Sequence, residues 1–144
     1  MTSKEYLKRH ARHIEKLETM IGNKIDEQQK WKAISLNITS HLDGERVQSS
    51  GGKQKMADAI DRCVDMQNEI NQLIDRMIDV KKEVLSVIEE LNAAEYDVLH
   101  KLYIQRMSFD DVAMAKERSK SWVTTVHGRA LVNVKHILNE RGIN

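Results

Sequence analysis

Lys120, Ser121, Trp122, Thr124, Thr125, Gly128 and Arg129 bring short hydroxyls, two cations, an indole and a glycine into one short segment. They interleave with Val123, Val126, Ala130, Val134 and Ile137, whose three-and-four spacing marks the inward face of a helix running to about Leu138. The polar set then lies on or near the outer face of that helix's first half. A helix so equipped fits the major groove of duplex DNA, where hydroxyl side chains meet base edges and Lys or Arg meets guanine acceptors or phosphates. Each phosphate contact would make binding fall with salt. Lys116, Arg118 and Lys135 extend the positive run, which over residues 116–136 is opposed only by Glu117.

Three short helical segments are expected to position this face. The first passes through Tyr96, Val98, Leu99, Leu102, Tyr103 and Ile104. The second, Phe109 to about Lys116, starts on Ser108, with Asp111 three residues on in a capping-box arrangement. Its small residues Ala113 and Ala115, beside Val112, would let the next helix cross closely. Residues 117–120 make the turn, and Ser119 is the expected N-cap of the third helix.

The residues before this module read as long amphipathic helices. Leu7, Ile14, Leu17, Met20, Ile21 and Ile25 share one face of a first helix, which Trp31, Ile34 and Ile38 could extend and Gly22 could interrupt. The serines and glycines between Thr39 and Gln54 mark a loop. From Met56 to Leu91 apolar positions alternate by four and three, giving a helix about 55 Å long. Its apolar face is wide: besides Ile60, Ile70 and Ile74 it takes in Ala59, Met66, Leu73, Val80 and Val87 on one side and Val64, Ile78 and Leu85 on the other. One partner helix would not cover it, so a homo-oligomer, most simply a dimer, is expected. Gln67 and Lys81 interrupt the stripe, Lys81 by snorkelling to its edge or both by fixing register between chains.

The chain thus reads as all-α: a long antiparallel helical hairpin or coiled coil over residues 1–91, with its loop at about 39–54, then a helix-turn-helix over residues 92–144. The absence of proline agrees, as do 31% charged and only 4% aromatic residues among 144. Net charge is +1, so a nucleic-acid partner is signalled by local and not bulk charge. Lys and Arg number eight against six Asp and Glu over residues 92–144, and fifteen against sixteen before them.

The run Glu95-Tyr96-Asp97-Val98-Leu99 to Tyr103-Ile104, then Ser108-Phe109-Asp110-Asp111-Val112-Ala113, then Ser119 to Leu131, resembles sigma-factor region 4. Joined to a long helical half, it is most similar to the small phage-encoded regulators of the ArpU and RinA type, which switch on late viral genes. The resemblance implies double-stranded DNA and host RNA polymerase as partners and the cytoplasm of a bacterial host as location. It makes Lys120, Ser121, Thr124 and Thr125 the base-reading candidates and sets Trp122, Arg129 and Lys135 against the DNA backbone. In that family the turn usually holds glycine flanked by apolar residues, where this chain has Lys116-Glu117-Arg118.

Other readings are fewer. A small-terminase-type DNA-packaging protein also joins a helix-turn-helix to an oligomerising coil, but more often places the DNA-binding module first; a helical adaptor without DNA affinity is the third class. Trp122 could serve the core, the DNA or a protein interface. His10 and His13 lack the partners of a four-ligand zinc site and read as surface residues, whereas His127 and His136 could add charge to the basic helix below about pH 6.5. Lys4, Lys8, Arg9, Arg12 and Lys16 make the first helix basic, read as a solvated face with a second nucleic-acid contact or a membrane surface as alternatives. Cys63, the single cysteine, is expected to be a small buried apolar group. No Gly-rich phosphate loop, nucleophile elbow or membrane span stands out, so neither enzymatic activity, cofactor nor membrane partner is expected.

Overall fold

The computed structural model describes residues 1–44 and 50–143, with side chains described over 1–36 and 52–143. All regular structure among them is helical: α1 (Ser3–Gly44), α2 (Ser50–Ile88), α3 (Ala93–Leu99), α4 (Phe109–Lys116) and α5 (Lys120–Glu140), with a π-helical turn, His100–Ile104, closing α3. The all-α class follows. Helix α1 runs unbroken through Gly22, where the sequence allowed an interruption. The stretch 39–54, read as a loop, is helical as far as Gly44 and again from Ser50; residues 45–49 of it lie outside the described residues.

Two compact units form. One comprises residues 16–77, the other residues 1–15 and 78–144. In the first, α1 and α2 run antiparallel and bury Leu17, Ile21, Ala59, Met66, Ile70 and Leu73. Gln28, only 5% exposed, is satisfied across this pair: its Nε2 donates to the carbonyl of Cys63 and to Gln67 Oε1, each at 3.0 Å. Gln67, which broke the apolar stripe, therefore sets register within the hairpin, and it passes a further 3.0 Å bond to Asn71. Cys63 is half-buried beside this pair, not fully buried as its type suggested.

The second unit holds the helix-turn-helix. Its core joins Tyr6 and Leu7 of α1 and Val84, Val87 and Ile88 of α2 to Val98, Leu99, Leu102, Tyr103, Val112, Val123, Val126, Ala130, Val134 and Leu138. Three helices of seven, eight and twenty-one residues have a large surface for the core they enclose, and α1 and α2 add an apolar wall to it. Of the small residues expected at the α4–α5 crossing, Ala113 is buried, as is Val112 beside it, while Ala115 faces outward.

Candidate nucleic-acid interface

Local chemistry sets each boundary of the module. Asn92 caps α3 by accepting from the amide of Glu95 at 2.9 Å. After Leu99 the ladder widens, with the amide of Gln105 reaching the carbonyl of His100 at 3.0 Å, and this π-helical turn buries both Leu102 and Tyr103. Both arms of the capping box at α4 form: Ser108 Oγ accepts from the amide of Asp111 at 3.0 Å, and Asp111 Oδ2 accepts from that of Ser108 at 3.2 Å.

The turn into α5 contains no glycine but adopts the geometry that favours one. Glu117 has φ 54° and ψ 43°, in the left-handed region. Around it the amide of Arg118 bonds the carbonyl of Ala113 at 2.9 Å and that of Glu117 the carbonyl of Met114 at 3.2 Å, the paired closure of a Schellman motif. Ser119 then starts α5 by accepting from the amide of Trp122 at 3.0 Å.

Helix α5 is thereby presented with one side in the core and the other free. Val123, Val126, His127, Ala130, Val134 and Leu138 are buried, and Ile137 is half-buried. Ser121, Thr124, Thr125, Gly128 and Arg129 are exposed. Ser121, Thr125 and Gly128 follow one another at spacings of four and three and so make a single stripe. Thr124 and Thr125 donate their hydroxyl protons back to the carbonyls of Lys120 and Ser121, each at 3.0 Å, which leaves the hydroxyl oxygens as acceptors. A Cβ added at Gly128 would meet nothing within 4 Å, so packing within the protein does not call for glycine there.

The remaining candidates divide by their partners. Lys120 lies 3.5 Å from Asp110 with both side chains well exposed, a pair water can easily replace. Lys116 instead points back to α3, with its ammonium 2.6 Å from Asp97 Oδ2. Asp97 also holds Lys101 at 2.9 Å, and the bond from Lys116, aided by Lys101, keeps its carboxyl below the usual range. Half-buried Trp122 packs against the core, with the exposed Arg118 guanidinium 5.3 Å from its ring centroid. Lys135 is half-buried and bonds the carbonyl of Met1 at 3.1 Å.

Two features had no clear sequence signal. Glu95 is only 5% exposed, and both its carboxylate oxygens accept from Asn133 Nδ2 at 3.0 Å, tying α3 to α5. His127 does not add charge to the surface: it is 7% exposed, hydrogen-bonded to Tyr103 at 2.8 Å, and meets Phe109 edge-on. Burial, then the nearby Lys4 and Lys8, push its pKa down. His136 stays exposed.

Among the described residues no helix is long and apolar enough to cross a membrane. No curated protein matches the chain, and no solved structure does. Residues 37–134, which hold every candidate site residue except Lys135, match the family described as Protein of unknown function (DUF1492). With about two-thirds of its length inside that match, the chain belongs to this family.

Proposed function

We propose that this protein is a sequence-specific, double-stranded-DNA-binding transcription regulator, which reads its site through α5. The observation carrying this reading is the unobstructed stripe of Ser121, Thr125 and Gly128, flanked by Thr124 and Arg129, on a helix whose opposite face is locked in the core. The two threonine oxygens are suited to the exocyclic amino donors of adenine or cytosine, and Arg129 and Lys120 to guanine or phosphate. Its resemblance to the phage-encoded sigma-region-4-like regulators supports the narrower proposal of a late-gene activator working with host RNA polymerase.

Two copies are proposed to act together. In the unit of residues 16–77, Ile25, Leu36, Ile60 and Val64 remain between 38% and 67% exposed, and Leu36, Ile60 and Val64 line one groove with Cys63 and the stem of Lys32. A second copy covering this face would remove apolar surface from water and place two reading helices on one DNA.

Sequencing the fragments of a source genome that the purified protein retains tests the proposal, with a Lys120→Ala, Thr125→Ala double variant as control. Enrichment of one promoter-proximal site, lost in the variant, supports a regulator. Uniform retention that vanishes at moderate salt would reduce the activity to non-specific phosphate binding.

A further inference from the structure

The basic start of α1 lies beside the face of α5 already described. Ser3 Oγ donates to the carbonyl of Leu131 at 2.7 Å, and Lys135 Nζ donates to that of Met1 at 3.1 Å. Residues 1–4 also share a groove of about 540 Å³ with Leu131, Val132 and Lys135. Along α5, Thr124, Gly128, Leu131 and Lys135 follow at four, three and four residues, one stripe of a helix. That stripe begins among the DNA-reading candidates and ends on the first turn of α1.

On α1, Lys4, Lys8 and Ala11 share a flank at four and three residues, while His10, on the other flank, pairs with Glu83 of α2 at 3.1 Å. Lys4 and Lys8 are exposed, and neither enters a salt bridge among the described residues, unlike Lys116. Both are close enough to α5 to disfavour a proton on buried His127.

The major groove, about 12 Å wide, admits one helix. A second helix packed on the flank of α5, at an ordinary interaxial distance of about 8–10 Å, is then in reach of the groove's phosphate wall, and Ser3 and Met1 hold α1 on the flank that carries Leu131 and Lys135. We propose that Lys4 and Lys8 form a phosphate clamp there: when α5 enters the groove, they contact the DNA backbone on the Thr124 side while Arg129 contacts it elsewhere. The clamp rests on the reading of α5 as the DNA-reading helix. Such contacts carry no sequence information; they fix the angle at which α5 enters and strengthen binding to every sequence.

The test is a salt titration of duplex binding by fluorescence anisotropy, comparing the full chain with Lys4→Gln, Lys8→Gln. The double variant is expected to bind specific and scrambled duplexes more weakly by a similar factor. Its slope of log affinity against log salt is expected to be shallower by about 1.8, at about 0.9 per phosphate contact. Lys4→Arg, Lys8→Arg is expected to keep the wild-type slope, and Arg9→Gln, on another side of α1, to leave it unchanged. Wild-type affinity and slope in the glutamine variant would overturn the clamp while leaving the α5 reading intact. A full chain with no affinity for any duplex would overturn both. Lysine-dependent binding to phosphatidylserine vesicles, without any change in DNA binding, would assign the patch to a membrane surface and also overturn the clamp.

Discussion

The Tyr103 hydroxyl and His127 Nε2 stand 2.8 Å apart inside the helix-turn-helix core, joining the π-helical turn to the inner face of α5. Neither group favours ionisation. Burial raises the Tyr103 hydroxyl to about 12 and depresses the imidazole. A histidine whose folded pKa is lowered stabilises the protein fully above its unfolded value near 6.5, and that contribution is lost as pH falls from there through the folded value. Chemical denaturation is therefore expected to show lower stability at pH 5 than at pH 7.5, with the difference reduced in His127→Gln. A tyrosine raised to about 12 contributes below pH 10 and loses that contribution as pH climbs towards 12. Tyr103→Phe leaves the imidazole nitrogen without its partner and is expected to cost about 1–3 kcal/mol.

Glu117 occupies a left-handed position that costs a side-chain-bearing residue about 1 kcal/mol. Glu117→Gly is expected to stabilise the protein by about 0.5–1 kcal/mol, read as a raised midpoint in denaturant, and Glu117→Val to destabilise it. An unchanged midpoint for the glycine variant would remove strain from the account of this turn.

Gly128 separates folding from binding. Within a helix it costs about 0.5–1 kcal/mol relative to alanine, and nothing in the protein occupies the space a methyl would take. Gly128→Ala is expected to raise stability by that amount and, with α5 reading DNA as proposed, to weaken duplex binding by keeping the backbone at this position from a close approach to the groove. Gains in both would place Gly128 away from the DNA.

Lys116 and Arg129 carry the same charge in different settings, Lys116 paired with Asp97 and Arg129 exposed. With its ammonium held by Asp97, Lys116→Met is expected to cost about 0.5–1 kcal/mol of stability and leave the salt slope of DNA binding unchanged. That contribution depends on an Asp97 carboxylate held below its ordinary value of 3.8, so it is present above pH 3.8 and lost as pH falls through the lower folded value. Arg129→Ala is expected to do the reverse, leaving stability nearly unchanged and making the slope shallower by about 0.9.

The exposed apolar face of the helical hairpin is expected to hold two copies together. Sedimentation should show a dimer for the full chain and a monomer for Ile60→Glu, Val64→Glu, whose side chains are about half exposed in one chain. A monomeric full chain at micromolar concentration would contradict this.

The module's helices were legible because their caps and apolar spacing are local: Ser108, Asp111 and Ser119 act within three residues, and Val123, Val126, Ala130 and Val134 repeat along one helix face. What escaped the sequence depends on packing between distant segments. Nothing local shows that Tyr6 and Leu7 enter the same core as Val123, or that Ser3 bonds the carbonyl of Leu131 128 residues away. His127 falls between outward and inward positions, and its burial is decided by Tyr103 and Phe109 arriving from other elements. A polar break such as Gln67 looks like a defect until Gln28 is seen opposite. The expected loop at 39–54 followed glycine and serine content, which lowers helix propensity without forbidding a helix; α1 and α2 extend into it from both ends.

The central claim is that α5 reads duplex sequence. Its most direct test is competition binding at about 150 mM salt between a genome-selected duplex and a scrambled one, for the full chain and for Lys120→Ala, Thr125→Ala. The full chain is expected to prefer its site by about a thousandfold or more, and the double variant to lose most of that preference while keeping its fold and its residual affinity for scrambled DNA. Equal affinity for the two duplexes, or a preference unchanged in the variant, would contradict the claim.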